Sequence, residues 1–188
     1  MADERSASGW HAGDALTAAR LVATPLFAWA FAAGARGDFG AGLLSGVLFA
    51  AICASDYFDG VLARRAGLAS DRGRILDNAA DITFLLTALV TAVVLGMTPW
   101  WVPASIAASF GYYVADSLLL THSTRRPALV ASRLGHFGGV CNFVLVGVLT
   151  YNEGVALHWL SPAFLSFLFL LVPLYSGAAI AARLLRVG

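Results

Sequence analysis

Residues 75–96 read ILDNAADITFLLTALVTAVVLG: two aspartates, Asp77 and Asp81, four apart, followed by fifteen residues without a charge. A hydrocarbon core of about 30 Å takes roughly 20 apolar residues as helix. A continuous run of this kind is a membrane helix, since a barrel strand would instead show about 10 residues of alternating polarity. The same texture extends through the 188-residue chain, which is 59% hydrophobic and 12% charged, with a mean hydropathy of +0.77. That composition implies an integral membrane protein and leaves no length for a soluble catalytic domain. Apolar runs fall at Leu16–Ala35, Ala41–Ser55, Ile75–Gly96, Trp100–Leu120, Val130–Tyr151 and Ser161–Leu185. Small Gly-, Pro- or Asn-containing connections at Gly34–Gly37, Met97–Pro99 and Asn152–Gly154 suit tight turns. The second run is short for a bilayer and reaches full length only by continuing through Asp56, Asp59 and Gly60 toward Arg64.

The basic residues set the orientation. All twelve are arginine, and with six spans eleven of them fall on one side, Arg36 being the exception. By the positive-inside rule both termini and the loops carrying Arg64, Arg65, Arg72, Arg74 and Arg125, Arg126, Arg133 are cytoplasmic. The expected fold is therefore an all-α integral membrane bundle of six transmembrane helices, one domain over residues 1–188, in the inner (cytoplasmic) membrane. Tyr151, Trp100, Trp101 and Trp159 then form an aromatic belt at the opposite interface. The first fifteen residues contain acidic groups and no apolar core, unlike a signal peptide. Cys53 and Cys141 both sit in apolar runs and read as small core residues. A net charge of +1 gives no expectation of a nucleic-acid partner.

Charged groups inside spans cost roughly 2.5–3.5 kcal/mol each on insertion scales, so a cluster of them calls for a partner. Asp56 and Asp59 are three apart at the end of the second span, and Asp77 and Asp81 open the third. Both spacings place a pair on one helical face. The short connection makes the two spans antiparallel neighbours, so the pairs meet at one depth near the cytoplasmic surface. Four converging carboxylates require cations. Arginine is one source, with Arg64, Arg65, Arg72 and Arg74 forming a salt-bridge network; Mg²⁺ or Mn²⁺ is the other, and four oxygen ligands suit two ions. A cation-binding membrane protein or transporter is the non-enzymatic alternative, although transporters place such carboxylates near the midplane on broken helices.

The residues between the pairs carry a resemblance. Asp56-Tyr-Phe-Asp59-Gly60-Val-Leu-Ala63-Arg64, eight residues, then Gly73-Arg-Ile-Leu-Asp77-Asn-Ala-Ala-Asp81 resembles the CDP-alcohol phosphotransferase signature, D-x2-D-G-x2-A-R-x8-G-x3-D-x3-D, at every defined position. Upstream, Asp14-Ala-Leu16-Thr17-Ala-Ala-Arg20 is similar to that family's N-x-L-T-x-x-R segment, with Asp14 where Asn is usual. The resemblance implies a six-span phospholipid-synthesising enzyme, often a homodimer, transferring a substituted phosphoryl group from a CDP-linked lipid, commonly CDP-diacylglycerol, to a small alcohol. CMP leaves. By the same resemblance Asp56, Asp59, Asp77 and Asp81 hold two ions of Mg²⁺ or Mn²⁺, Asp81 is also the general base, and Gly60, Ala63, Arg64 and Gly73 receive the nucleotide.

For the acceptor the residues separate fewer possibilities. Glycerol phosphate and inositol phosphate need basic groups from spans four and five, where Arg133 and His136 lie one turn apart. Asp116, behind Tyr112 and Tyr113, stands where glycerol-phosphate users more often carry an Arg-Glu pair. It is expected either to bind acceptor hydroxyls or to pair with Arg133. Inositol, serine and choline are not distinguished from these. Gly135, Gly138 and Gly139 read as a close-packing or dimer surface, and Asn142 as a polar lining residue.

Overall fold

The computed structural model describes residues 12–66, 71–121 and 133–185. Among them the chain is helical throughout, with no strand: α1 (Ala12–Gly34), α2 (Phe39–Ala66), α3 (Asp71–Val94), α4 (Trp101–Thr121), α5 (Arg133–Leu149), a π-helical turn (Thr150–Gly154) and α6 (Pro162–Leu184). The apolar runs form the helices, the fifth ending in the π turn, and α2 continues unbroken past Asp56 to Ala66 as its short apolar part requires. Segments Phe39–Phe58, Ile75–Val94 and Pro162–Leu184 are long and apolar enough to cross a membrane. The 17 residues of α5 span only about 25 Å before the π turn, less than the bilayer core. The start of α6 is capped by Ser161, whose hydroxyl accepts from the Phe164 N–H at 3.3 Å.

Each helix turns one stripe inward. On α1 this is Arg20, Thr24, Phe27 and Phe31, and on α6 Leu165, Phe169, Val172 and Ser176, both at helical spacing. Phe84 of α3, fully buried, joins the layers: its ring lies 5.0 Å from Phe27 of α1, 6.3 Å from Phe49 of α2 and 5.9 Å from Phe143 of α5. Burying such a ring contributes about 1.5–3 kcal/mol, and its position fixes the spacing of three helices around it.

The expected neighbours α2 and α3 meet, with a third helix packed against both. The helix packed closely against both α2 and α3 is α1, and α2 meets α3 through side chains such as Phe49 and Phe84. A short connection constrains the facing ends of two helices but not their axes. Glycines hold α1 on α2 instead: a Cβ on Gly34 would lie 2.4 Å from the Gly42 Cα and 2.4 Å from the Gly154 carbonyl oxygen, so the backbones are in contact. The π turn supplies that carbonyl. Buried Asn152 keeps the turn in place, accepting from the Leu160 N–H and donating to Glu153 Oε1, both at 2.8 Å.

Candidate active site

Asp56 projects from α2, while Asp77 and Asp81 project from one face of α3, and carboxylate oxygens of the three lie within 4.8 Å of one another. The expected convergence therefore holds for these three. The side chains of Asp59, Gly60, Ala63 and Arg64 lie outside those described, although their backbone is part of α2. Gly73 sits in the first turns of α3, half-buried, one turn before Asp77.

The counter-charge in the cluster comes from an unexpected helix. Arg20 of α1 donates from Nη1 to Asp77 Oδ1 at 2.8 Å and to Asp81 Oδ1 at 2.5 Å, and from Nη2 to Asp56 Oδ1 at 3.4 Å. Its side chain is 0% exposed, against 41%, 38% and 24% for Asp56, Asp77 and Asp81. The guanidinium thus lies inside the cluster, with the carboxylates on the more open side. The arginines expected as partners, Arg64, Arg65, Arg72 and Arg74, have side chains outside the described set. Helical phase puts Arg20 there: it continues the inward stripe of Thr24, Phe27 and Phe31, and that phase was the available signal.

A cavity of about 530 Å³ borders Asp56 and Asp81 and reaches Tyr113, His136, Ser176 and Arg183. Asn142 lines it as expected and accepts a hydrogen bond from the Tyr175 hydroxyl. Gly135, Gly138 and Gly139, expected as a packing or dimer surface, border this cavity as well, and a Cβ on Gly139 would meet nothing within 4 Å. Cys53, half-buried rather than a core residue, lies on its wall. Cys53, Phe143 and Val144 also line a second, wholly apolar groove of about 350 Å³ that runs past Phe49 and Val148 to Tyr151 and Trp159.

Asp116 also meets a partner that its sequence did not point to. Its Oδ2 accepts from Arg183 Nη1 of α6 at 3.0 Å, and the guanidinium carbon of Arg183 lies 4.5 Å from the centre of the Tyr113 ring. α4 and α6 pack closely, which brings these groups together, whereas Arg133 stands at the start of α5 with its side chain outside the described set. Arg183, seven residues beyond Ser176, lies on the inward stripe of its helix; its place in the sequence suggested only a cytoplasmic anchor. His136 is exposed at the cavity rim.

Residues 10–182 match the family model of CDP-alcohol phosphatidyltransferases. The chain belongs to that family. A protein of Mycobacterium tuberculosis strain H37Rv described as a probable phosphatidylglycerophosphate synthase is 31% identical over 171 residues, which cover 91% of this chain and 80% of that one. A cardiolipin synthase (CMP-forming) of Streptomyces coelicolor is 39% identical over 89 residues, 46% of this chain and 40% of that one. As a CDP-alcohol phosphatidyltransferase the chain is a membrane transferase of phospholipid biosynthesis that uses a CDP-linked alcohol as donor. The family is generally dependent on a divalent metal, and the residues present suit one. Three hard oxygen donors lie within reach of one ion, and three carboxylates around one guanidinium leave the described cluster net negative.

Proposed function

We propose that this CDP-alcohol phosphatidyltransferase transfers the phosphatidyl group of CDP-diacylglycerol to a small alcohol and releases CMP. It works as a single six-span domain over residues 1–188, homodimeric, with both termini and the active site on the cytoplasmic side of the inner membrane. The observation that carries this reading is the meeting of Asp56, Asp77 and Asp81 beside a cavity that Asp56 and Asp81 line, with an apolar groove that shares the wall residues Cys53, Phe143 and Val144. Polar transfer chemistry needs the first, and a diacyl donor needs a route for its chains such as the second. The distribution of the arginines supports the orientation, and family membership favours transfer over the transport reading.

In this reading Asp56, Asp59, Asp77 and Asp81 hold two ions, Mg²⁺ or Mn²⁺. Bound divalent ions neutralise the donor pyrophosphate and the negative charge that develops on CMP as it leaves. Gly60, Ala63 and Gly73 leave room for the cytidine against the helix backbones, and Arg64 contacts phosphate. Asp81, on the cavity wall, takes the acceptor's hydroxyl proton on a carboxylate oxygen, so that the acceptor oxygen attacks the phosphorus bearing the lipid. Asp116, Arg133 and His136 bind the acceptor, joined by Arg183. A guanidinium held by Asp116 and stacked on Tyr113 is oriented before the acceptor arrives, which lowers the entropic cost of binding it.

The decisive assay is release of CMP from CDP-diacylglycerol by the purified protein with Mg²⁺ or Mn²⁺, across glycerol phosphate, inositol phosphate, inositol, serine and choline. One acceptor is expected to stimulate release well above the others, and failure to consume any CDP-linked donor would overturn the reading. With the productive acceptor in hand, Arg183→Gln is expected to raise the acceptor KM about tenfold, the loss of a charge-assisted contact, with the donor KM unchanged. An equal change in both constants would remove Arg183 from the acceptor site.

A further inference from the structure

Arg20 is a cation already present among the carboxylates. Its two terminal nitrogens reach three oxygens, Asp77 Oδ1, Asp81 Oδ1 and Asp56 Oδ1, and its side chain is fully buried. Its Nε is also buried and has no hydrogen-bond partner, so the carboxylates hold the head group by its outer edge. Arginine frequently binds a single carboxylate with two parallel N–H bonds of its planar fork. This one spreads its terminal N–H groups over three acidic side chains from two helices. α1 packs on both α2 and α3, and the guanidinium bridges Asp56 of α2 to Asp77 and Asp81 of α3.

Two consequences follow from elementary electrostatics. Without a counter-ion the three carboxylates repel, and the two helices carrying them are driven apart. With the guanidinium in place, a divalent cation seeking the same oxygens meets a like charge at a few ångströms and must share or displace its contacts. We infer that Arg20 is a built-in counter-ion: it keeps the three carboxylates assembled before metal arrives and then competes with the metal, so that it sets the affinity of the site. This rests on the proposed metal-binding role of the three aspartates. Arg20 is then a positioning residue whose removal tightens metal binding while loosening the metal-free protein.

The test uses full-length protein in detergent, stripped of metal, with Mn²⁺ as probe. Free Mn²⁺ is followed by its electron paramagnetic resonance signal during titration, and thermal unfolding is recorded with and without Mn²⁺. Arg20→Gln is expected to bind Mn²⁺ about tenfold more tightly or better, to unfold at lower temperature when metal-free, and to gain more in Tm from Mn²⁺ than the natural protein does. Arg20→Lys keeps the charge but reaches fewer oxygens and is expected to fall between the two. A purely structural role would lower Tm equally with and without Mn²⁺ and leave affinity unchanged, and that result, or weaker binding in Arg20→Gln, overturns the inference. Should Arg20→Gln not fold, Arg20→Lys decides: tighter binding than the natural protein supports the inference, and equal or weaker binding overturns it. Absence of Mn²⁺ binding by the natural protein is a different failure, since it overturns the metal reading of the aspartates and this inference with it.

Discussion

Asp56→Ala and Asp77→Ala are each expected to lower CMP release by roughly a hundredfold or more while the protein remains folded in the membrane. The size follows from the proposed role: neutralisation of a transferring pyrophosphate by bound divalent ions is worth several kcal/mol, and each 1.36 kcal/mol is tenfold in rate. Folding survives because the deletion removes a charge from a cluster that repels itself, and Arg20 keeps two of its three acidic partners. The two variants are not equivalent. Asp56 makes the longest of the three contacts with Arg20, at 3.4 Å, and is the most exposed at 41%, so Asp56→Ala should stay nearer to natural stability. Asp77 accepts at 2.8 Å, and losing it should cost more in Tm. The measurements are CMP release at saturating donor, circular dichroism and thermal unfolding. Activity above a few per cent in either variant, in protein that retains its helical spectrum, would count against their role as metal ligands.

Much of this arrangement was legible in the sequence because one physical demand dominates it. A chain surrounded by hydrocarbon must satisfy its backbone within each segment, so long apolar runs become helices. The run at 75–96 forms α3, and the helix that holds the short run at 41–55 continues through the aspartates, since 15 residues do not cross a bilayer. The convergence of Asp56, Asp77 and Asp81 was legible too, because charge is costly enough there that two pairs at helical spacing have reason to meet. Partners were harder to read. Arg20 and Arg183 each lie near an end of an apolar run, where position along the chain suggests a cytoplasmic anchor. Their angular position says otherwise: both fall on the inward stripe of their helix, and each meets an acidic group from a neighbour. Which neighbour depends on packing between helices distant in sequence. The close approach of α1 to α2 involves backbone contact at Gly34 and Gly42, a feature of three-dimensional fit with no periodic signature.

Asp81→Asn separates the two duties assigned to one carboxylate. Asp81 accepts from Arg20 at 2.5 Å and lines the cavity shared with Asp56 and His136, so it is placed both to hold an ion and to meet an acceptor hydroxyl. Asparagine preserves the shape and an oxygen for the Arg20 contact, and α1 should remain packed on α3. It cannot take up a proton under the conditions of the reaction. If Asp81 is the base, turnover should fall by roughly the 10²–10⁴-fold typical of acid–base groups, with donor and metal binding largely intact. A ligand role without base chemistry predicts a different pattern, in which metal binding weakens and higher Mn²⁺ restores the rate. Turnover at saturating donor and acceptor, followed over a Mn²⁺ titration, distinguishes them. The expected result is a loss that no Mn²⁺ concentration repairs, and full recovery at high Mn²⁺ would transfer the base role to another group on the cavity wall.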